Sequence, residues 1–152
     1  MTKIENKSPT IGKFLFAGVP EGYDARLLSA GGIFGLAQPH LHIARDAGRM
    51  SAMAQAIAFF SPDLTVLEFP AWDCLPYDRV SPNRETVSSR IDTLTRLSKL
   101  KSEASSPLLV LTTANAIVQR VPSSTVLAEA SRHFSVGSTM DTDTLSDFFA
   151  QN

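Results

Sequence analysis

Hydrophobic and polar residues follow one another along the chain in blocks that predict strands and helices in turn. A short apolar run at residues 14–17 ends in a glycine-containing loop and predicts a buried strand, with a helix following over residues 23–37. Residues 40–44 predict a second strand and residues 46–60 a second helix, because methionines and large apolar side chains recur there on one helical face. Residues 64–69 predict the third strand.

The second half of the chain continues this order after an irregular segment. Residues 70–83 contain three prolines, which excludes both a central strand and a continuous helix. Pro82 is predicted at the first position of the next helix. One face of that helix carries four apolar residues: Val87, Ile91, Leu94 and Leu97. Residues 108–111 predict a fully buried strand, and Thr113 is a plausible cap for a short helix that runs to Gln119.

Alternating strands and helices predict an α/β fold, with a parallel sheet flanked by helices. We assign residues 1–12 to a polar leader and residues 13–123 to this first domain. From residue 124 onward the pattern changes, with short apolar segments at 125–127 and 133–136 before a helix capped by Asp141. Residues 124–152 are therefore expected to be the truncated start of a second, α+β domain.

The amino-acid composition limits which partners and which cellular compartment are expected. The chain has 14 Lys and Arg against 15 Asp and Glu, so it lacks the basic balance of a domain that binds nucleic-acid phosphates. Its single cysteine, Cys74, excludes an internal disulfide framework and favours the cytoplasm. Neither a signal peptide nor a membrane span is predicted, so no membrane partner is expected.

The first loop is compared with the phosphate-binding pattern GxxxxGK[ST], which places glycines, a lysine and a hydroxyl around a triphosphate. The loop keeps Gly18 and has a glycine at Gly22, but Tyr23 stands at the second glycine, Asp24 at the lysine and Ala25 at the hydroxyl. The loop is a degenerate P-loop, or an ordinary strand-to-helix turn that never bound phosphate. Either interpretation predicts that the chain binds no nucleotide and needs no cofactor.

Two other groups of residues are weak candidates for a metal site and for a catalytic nucleophile. His40 and His42 alternate on a predicted strand, a spacing that suits metal ligands, but the sequence offers no third ligand and we predict no metal site. Cys74 lies near Asp73 and Asp78, yet no histidine is close in sequence to activate the thiol. We therefore predict no catalytic residues.

The irregular segment and the helix after it carry arginines and aromatic residues. Four arginines lie there: Arg79, Arg84, Arg90 and Arg96. Interleaved acidic residues favour a solvated helix face over contact with a phosphate backbone. Trp72 and Tyr77 either form a surface for docking a partner or pack inward over the sheet, and we expect the second.

Residues 67–97, which read LEFPAWDCLPYDRVSPNRETVSSRIDTLTRL, closely resemble the N-terminal module of the bacterial transcription-repair coupling factor, Mfd. The residues that carry the resemblance are Trp72, Asp73, Leu75, Pro76, Tyr77, Asp78, Ser81, Pro82 and Arg90. Residues 111–122, LTTANAIVQRVP, are similar to the strand and helix that close the same domain in that family. The resemblance extends over about residues 14–122.

The resemblance implies a fold like domain 1a of the excision protein UvrB, which is helicase-like but here has a degenerate P-loop. In the family, the full-length protein is an ATP-dependent DNA translocase that displaces stalled RNA polymerase and recruits UvrA. The motor is absent from this chain. The implied partners are the rest of the coupling factor and UvrA, whose contact surface should lie mostly beyond this chain in the domain that begins at residue 124. RNA polymerase and DNA would be reached only through the full-length protein.

The leading hypothesis is therefore a non-catalytic scaffold and protein-interaction module of a transcription-coupled nucleotide-excision repair factor. One alternative is a stand-alone nucleotide-binding or hydrolytic enzyme with an unusual phosphate loop. A second alternative is a damage-sensing DNA-binding module, which the nearly balanced charge disfavours.

Overall fold

The fold is described from a computed structural model. It describes residues 15–29, 39–74, 79–100, 107–132, 134–137 and 139–151. None of the helices in these ranges is both long enough and apolar enough to cross a membrane.

A parallel sheet of three strands forms the centre of the described fold. The strands are β1 (His40–Ala44), β2 (Thr65–Phe69) and β3 (Leu108–Thr113), and their spatial order is β1-β3-β2. Since β3 lies between the other two, all six of its residues are buried. In β1, by contrast, partly buried and exposed residues alternate up to the buried Ala44, as expected of a strand with one uncovered face.

One face of the sheet is covered by the first two helices, α1 (Tyr23–Leu28) and α2 (Ala47–Phe60). α2 begins after Asp46, whose carboxylate accepts a hydrogen bond from the Arg49 amide at 2.9 Å. The hydrophobic core on this side combines residues of both helices with residues of β1 and β3. Its fully buried members are Ala25, Ala44, Met50, Met53, Ile57, Leu109 and Leu111.

The opposite face is covered by α3 (Arg84–Lys99), which begins after the cap residue Asn83. A second hydrophobic cluster forms there from Leu67 of β2 and Leu108 and Val110 of β3. Helices therefore cover both faces of the parallel sheet, which confirms the predicted α/β fold class. After β3, Thr113 caps the short helix α4 (Ala114–Ile117), as its sequence predicts.

Two further helices follow. The first is α5 (Ser124–Glu129), capped by Ser123 and packed against α3. The second is α6 (Thr142–Gln151), where Asp141 accepts a hydrogen bond from the Asp143 amide at 3.2 Å. Residues 125–127 lie within a helix, and residues 134–136 form no regular element. The division of the chain at residue 124 stays a prediction.

The expected first strand is wrong where the structure describes it. Residues 15–17 form no strand, and the Leu15 side chain is 90% exposed, so the apolar run does not gain the burial that would hold it in the sheet. The predicted helix over residues 23–37 is found as far as Leu28; residues 30–38 and Phe14 lie outside the described residues. Pro82 precedes the cap of α3 rather than opening the helix, because the Asn83 side chain accepts from the Glu85 amide at 3.0 Å.

α3 is also rotated from the orientation that its apolar residues suggest. Val87 and Ile91 remain 37% and 42% exposed, while Arg90 and Thr93 are each 2% exposed. The prediction that Arg90 belongs to a solvated face is therefore wrong. The helix instead turns polar side chains toward the end of β2, where backbone carbonyls need hydrogen-bond donors.

Candidate functional site

Two side-chain clusters, each containing an arginine, lie at the carboxyl edge of the sheet. This is the edge at which open α/β sheets usually bind ligands. The Arg90 cluster consists of Phe69, Trp72, Arg90 and Gln119 and lies beyond the end of β2. The Asp24 cluster consists of Glu21, Asp24, His42 and Arg49 and lies beside the end of β1.

The Arg90 cluster is built around a buried guanidinium. The Cζ atom of Arg90 lies 4.1 Å from the centre of the Phe69 ring and 4.3 Å from the centre of the Trp72 ring. Both distances are within the range of cation–π attraction, which is stronger when the cation has lost its water. Burial lowers the pKa of Arg90 from its ordinary value, although a guanidinium remains protonated.

Two neutral oxygens accept hydrogen bonds from the same Arg90 nitrogen. Arg90 Nη1 donates to the Pro70 carbonyl at 2.6 Å and to Gln119 Oε1 at 3.0 Å. Gln119 Oε1 also accepts from the Trp72 backbone amide at 3.1 Å. Arg90 Nε is buried and has no hydrogen-bond partner among the residues that the structure describes. The cluster thus joins the loop after β2 to α3 and to the segment after α4.

The chain leaving β2 is held through consecutive backbone carbonyls. The carbonyls of residues 68–70 accept hydrogen bonds from Thr93 Oγ1 at 2.7 Å, Thr112 Oγ1 at 2.9 Å and Arg90 Nη1 at 2.6 Å, in that order. Each of these bonds satisfies an acceptor that would otherwise lose its partner as the strand leaves the sheet. The irregular segment therefore starts from a fixed position.

The far end of the irregular segment is tied by Asp73. Its two carboxylate oxygens lie 3.2 and 3.1 Å from the Asn83 amide, which donates to them. Asn83 in turn caps α3. The carboxylate of Asp73 is therefore engaged at the start of the helix rather than with Arg90.

The Asp24 cluster arises from a glycine-dependent loop. Gly18 and Gly22 have φ angles of 69° and 80°, a region that side chains with a Cβ rarely adopt. The Tyr23 amide donates to the Pro20 carbonyl at 3.1 Å, and α1 starts at that residue. The loop thus delivers Asp24 to the first turn of α1.

Arg49 of α2 faces the two carboxylates of this loop. Its Nη1 atom lies 2.5 Å from Glu21 Oε1, and its Nη2 atom lies 3.4 Å from Asp24 Oδ2. The other Asp24 oxygen accepts from the Ala25 amide at 3.0 Å. The Asp24 carboxylate is therefore engaged by the Arg49 guanidinium and by an amide of the first helical turn.

His42 lines a cavity of about 230 Å³ beside this cluster, together with Asp24 and Arg49. Burial lowers the pKa of His42; the charge of Asp24 opposes this shift and the charge of Arg49 adds to it. Among the residues that the structure describes, no three His, Cys, Asp or Glu side chains come together as metal ligands. His40 and His42 therefore remain a pair without a third ligand in that part of the chain.

Comparison with known proteins identifies bacterial transcription-repair-coupling factors as relatives. The transcription-repair-coupling factor of Rickettsia prowazekii (strain Madrid E) is 34% identical over 82 residues, which make up 54% of this chain and 7% of that protein. Those of Rickettsia conorii (strain ATCC VR-613 / Malish 7) and Rickettsia typhi (strain ATCC VR-144 / Wilmington) are 32% identical over 94 residues and 39% identical over 64. The chain carries a segment related to transcription-repair-coupling factors.

The similarity covers 62% of this chain and 8% of the Rickettsia conorii protein, and 42% of this chain and 5% of the Rickettsia typhi protein. The chain thus spans less than a tenth of the length of these relatives. No protein-family model matches the chain.

The structure brings part of the predicted signature together. Trp72 and Arg90 are in contact, and Asp73 reaches the start of α3. Ser81 is exposed and Pro82 partly buried, and neither belongs to the cluster. The four signature residues at positions 75–78, Leu75, Pro76, Tyr77 and Asp78, lie outside the described residues. Trp72 is partly buried, as expected of an aromatic residue that packs inward.

Gln119 and Arg49, one in each cluster, and Thr93 of α3 are not among the residues that the sequence singles out as candidates. Gln119 enters the sequence analysis only as the end of a short helix. The only available signal was the interruption of the apolar pattern by Thr93 in the middle of α3. Nothing local to Gln119 or Arg49 indicates their partners, which are 47 and 25 residues away in sequence.

The first prediction concerns Gln119, which accepts from both Trp72 and Arg90. Replacing it by leucine should lower the free energy of unfolding by about 1–3 kcal/mol, because two donors lose their acceptor. Gln119→Glu should raise it, because a carboxylate accepts the same bonds and also offsets the buried charge. Urea unfolding followed by Trp72 emission measures both changes. Gln55→Leu on the exposed side of α2 is the control, expected within about 0.5 kcal/mol of the parent.

The second prediction concerns the pH dependence that His42 introduces. Its pKa in the folded protein lies below the unfolded value of about 6.5, so the folded state disfavours the proton. Its contribution to stability is therefore complete above about pH 6.5 and declines as pH falls below that value. Urea unfolding at about pH 7.5 and about pH 5.5 should show a smaller difference in His42→Gln than in the parent. An equal or larger difference in the variant would contradict this assignment.

Proposed function

We propose that this chain acts as a non-catalytic scaffold and protein-interaction module within a transcription-repair-coupling factor. The proposal draws its biological context from the related segment in the Rickettsia proteins. The non-catalytic part of the proposal rests on one observation. The Asp24 carboxylate, at the start of α1, accepts from the Ala25 amide and faces Arg49.

The Asp24 cluster disfavours nucleotide binding on electrostatic grounds. In a phosphate-binding loop, a cation and the first amides of the helix face the phosphates. Here the Asp24 carboxylate accepts from the Ala25 amide and faces Arg49, while Glu21 also lies against Arg49. A phosphate approaching this place would meet two carboxylates and one guanidinium, that is, a net negative charge whose repulsion is moderated by the solvent exposure of Glu21.

In this proposal the loop is a degenerate P-loop on a UvrB-like, helicase-type domain, and the sheet serves to present surfaces rather than to carry out a reaction. The two ends of the irregular segment are fixed by the Arg90 cluster and by Asp73, which is what a presenting scaffold requires. The partners are the remainder of the coupling factor and UvrA. RNA polymerase and DNA are reached through the full-length protein.

The third prediction tests the absence of nucleotide binding. Calorimetric titration of the chain with ATP and magnesium should give no saturable heat up to about millimolar ATP. That concentration would detect a dissociation constant of about 1 mM, which corresponds to a binding free energy of about 4 kcal/mol. A paired variant, Glu21→Gln with Asp24→Lys, should gain weak binding, because the repulsion is removed and a cation is supplied. Micromolar binding or turnover by the parent chain would instead support a nucleotide-dependent enzyme.

The fourth prediction tests the proposed partner. Immobilised chain should retain little UvrA, whereas a chimera that continues into the next ~80 residues of the Rickettsia prowazekii coupling factor, roughly the remainder of a small domain, should retain it. Both baits carry the same Arg90 and Asp24 clusters, so the shorter one is the matched control. Equal retention by the two baits would place the contact within residues 1–152, and retention by neither would remove UvrA from the proposal.

A further inference from the structure

A cavity of about 280 Å³, the α6 cavity, lies between α6 and the residues that precede it. Four apolar side chains form much of its wall: Phe134 and Met140 come before the helix, and Leu145 and Phe148 belong to it. Phe134 is 50% exposed and Met140 is 46% exposed, so the cavity opens to the protein surface. Its volume is just below the roughly 300–1,000 Å³ of a small-molecule pocket, and suits one large side chain.

Arg132 lies at the polar end of this cavity, and its charge is engaged by the protein itself. The Cζ atom of Arg132 lies 4.6 Å from the centre of the Phe148 ring, within the range of cation–π attraction. Its Nη1 atom donates to the Glu129 and Ser131 carbonyls, each at 3.3 Å. Arg132 therefore links the chain after α5 to α6 and holds one wall of the cavity in place.

The surface around the α6 cavity is acidic. Residues 134–151 contain three aspartates and no other charged residue. All three, Asp141, Asp143 and Asp147, are exposed. Hydrogen bonds from the Thr144 hydroxyl and the Asp143 amide lower the pKa of Asp141, so it stays charged at neutral pH. Asp143 and Asp147 are four residues apart in sequence and therefore lie one turn apart on the same side of α6.

The charge of this surface determines which kind of partner it fits. Apolar side chains exposed beside a cavity mark an interaction site, and Phe149 is 67% exposed next to Phe148. The carboxylates would repel nucleic acid and anionic membranes. A second copy of the chain would bring three further aspartates against the first three, which disfavours self-association through this surface. A cationic partner is the one that complements it.

We propose that the α6 cavity is a docking site for a basic amphipathic helix of a protein partner. A large apolar side chain of that helix enters the cavity, and lysine or arginine residues one turn away lie against Asp143 and Asp147. The apolar anchor supplies affinity, and the surrounding charges determine the choice of partner. The inference rests on the proposed function, because it specifies the chemistry of one partner of an interaction module.

The test observes Met140 directly by ¹H–¹³C NMR of the full chain, labelled at its methionine methyl groups. Met50 and Met53, which are buried in the hydrophobic core, are internal controls. The probe is an alanine-based peptide of ~18 residues, long enough to form a helix, with one central leucine and lysines one turn to either side of it. It should shift the Met140 methyl signal in a saturable manner and leave the Met50 and Met53 signals unchanged.

Two further peptides separate the apolar anchor from the charge, in titrations at the same ionic strength of about 0.05 M. Replacing the leucine of the probe by alanine should weaken binding about tenfold or more, because no large side chain then enters the cavity. Replacing its lysines by glutamates should abolish saturable binding, because like charges then face each other.

Variants of the chain test where the peptide lies. Asp143→Asn with Asp147→Asn removes two exposed charges and should weaken binding about three- to tenfold. Asp63→Asn with Glu68→Gln removes the same number of exposed charges from the turn after α2 and from β2, and should bind like the parent. Phe134→Ala removes one wall of the cavity and should also weaken binding, while unchanged signals of the two core methionines report that the fold is intact.

Several results would overturn the proposal. These are equal binding of the leucine and alanine peptides, saturable binding of the glutamate peptide, no response of Met140, or undiminished binding after replacement of Asp143 and Asp147. A Met140 shift that follows chain concentration without peptide would assign the surface to a second copy instead. None of these results bears on the ATP titration, because the α6 cavity shares no residue with the Asp24 cluster. Nucleotide binding by the parent chain would reject the scaffold function whether or not a basic helix docks.

Discussion

The contact between the Arg90 guanidinium and the chain leaving β2 is the interaction on which the carboxyl edge of this fold depends. A single nitrogen holds the Pro70 carbonyl and Gln119, while the cation lies against two aromatic rings. These contacts join the end of β2 and the loop that follows it to α3 and to the segment after α4. Without them, α3 would be fixed to the sheet mainly by the apolar cluster near its other end.

The two charged clusters at this edge differ in how they act. The carboxylate of Glu21 is 84% exposed, so its ion pair with Arg49 contributes little to stability, about 0–1 kcal/mol at most. In the function that we propose, the Asp24 cluster acts instead by exclusion, since it would place carboxylates where a phosphate needs cations. Arg90, in contrast, is almost completely buried, and its hydrogen bond to the Pro70 carbonyl fixes the start of the loop after β2.

Local patterns predicted the elements that depend on local interactions. Asp46 before a run with Met50, Met53 and Ile57 on one face predicts both the start and the buried side of α2, and the structure agrees. β3 was predictable because a strand covered on both faces needs a continuous apolar run. The run at residues 14–17 has the same composition, but its burial would require neighbours that composition does not reveal, and Leu15 is exposed.

The Arg90 cluster could not be predicted, because its burial is decided by residues distant in sequence. Arginine is among the residues least often buried, and the spacing of Val87 and Ile91 points to a different face of α3. The acceptor that Arg90 finds inside the protein is Gln119, which is 29 residues away in sequence and also accepts from Trp72. The resemblance to coupling factors identified Arg90 as a signature residue without indicating that it is buried.

An apolar residue at position 90 would fill the same space but could not perform the same role. It would leave the Pro70 carbonyl without its donor, and a buried unsatisfied carbonyl costs about 1–3 kcal/mol. Lysine would donate to that carbonyl but lacks the flat surface that lies against both Phe69 and Trp72. The planar guanidinium meets both requirements, which explains why a buried arginine is compatible with this place in the fold.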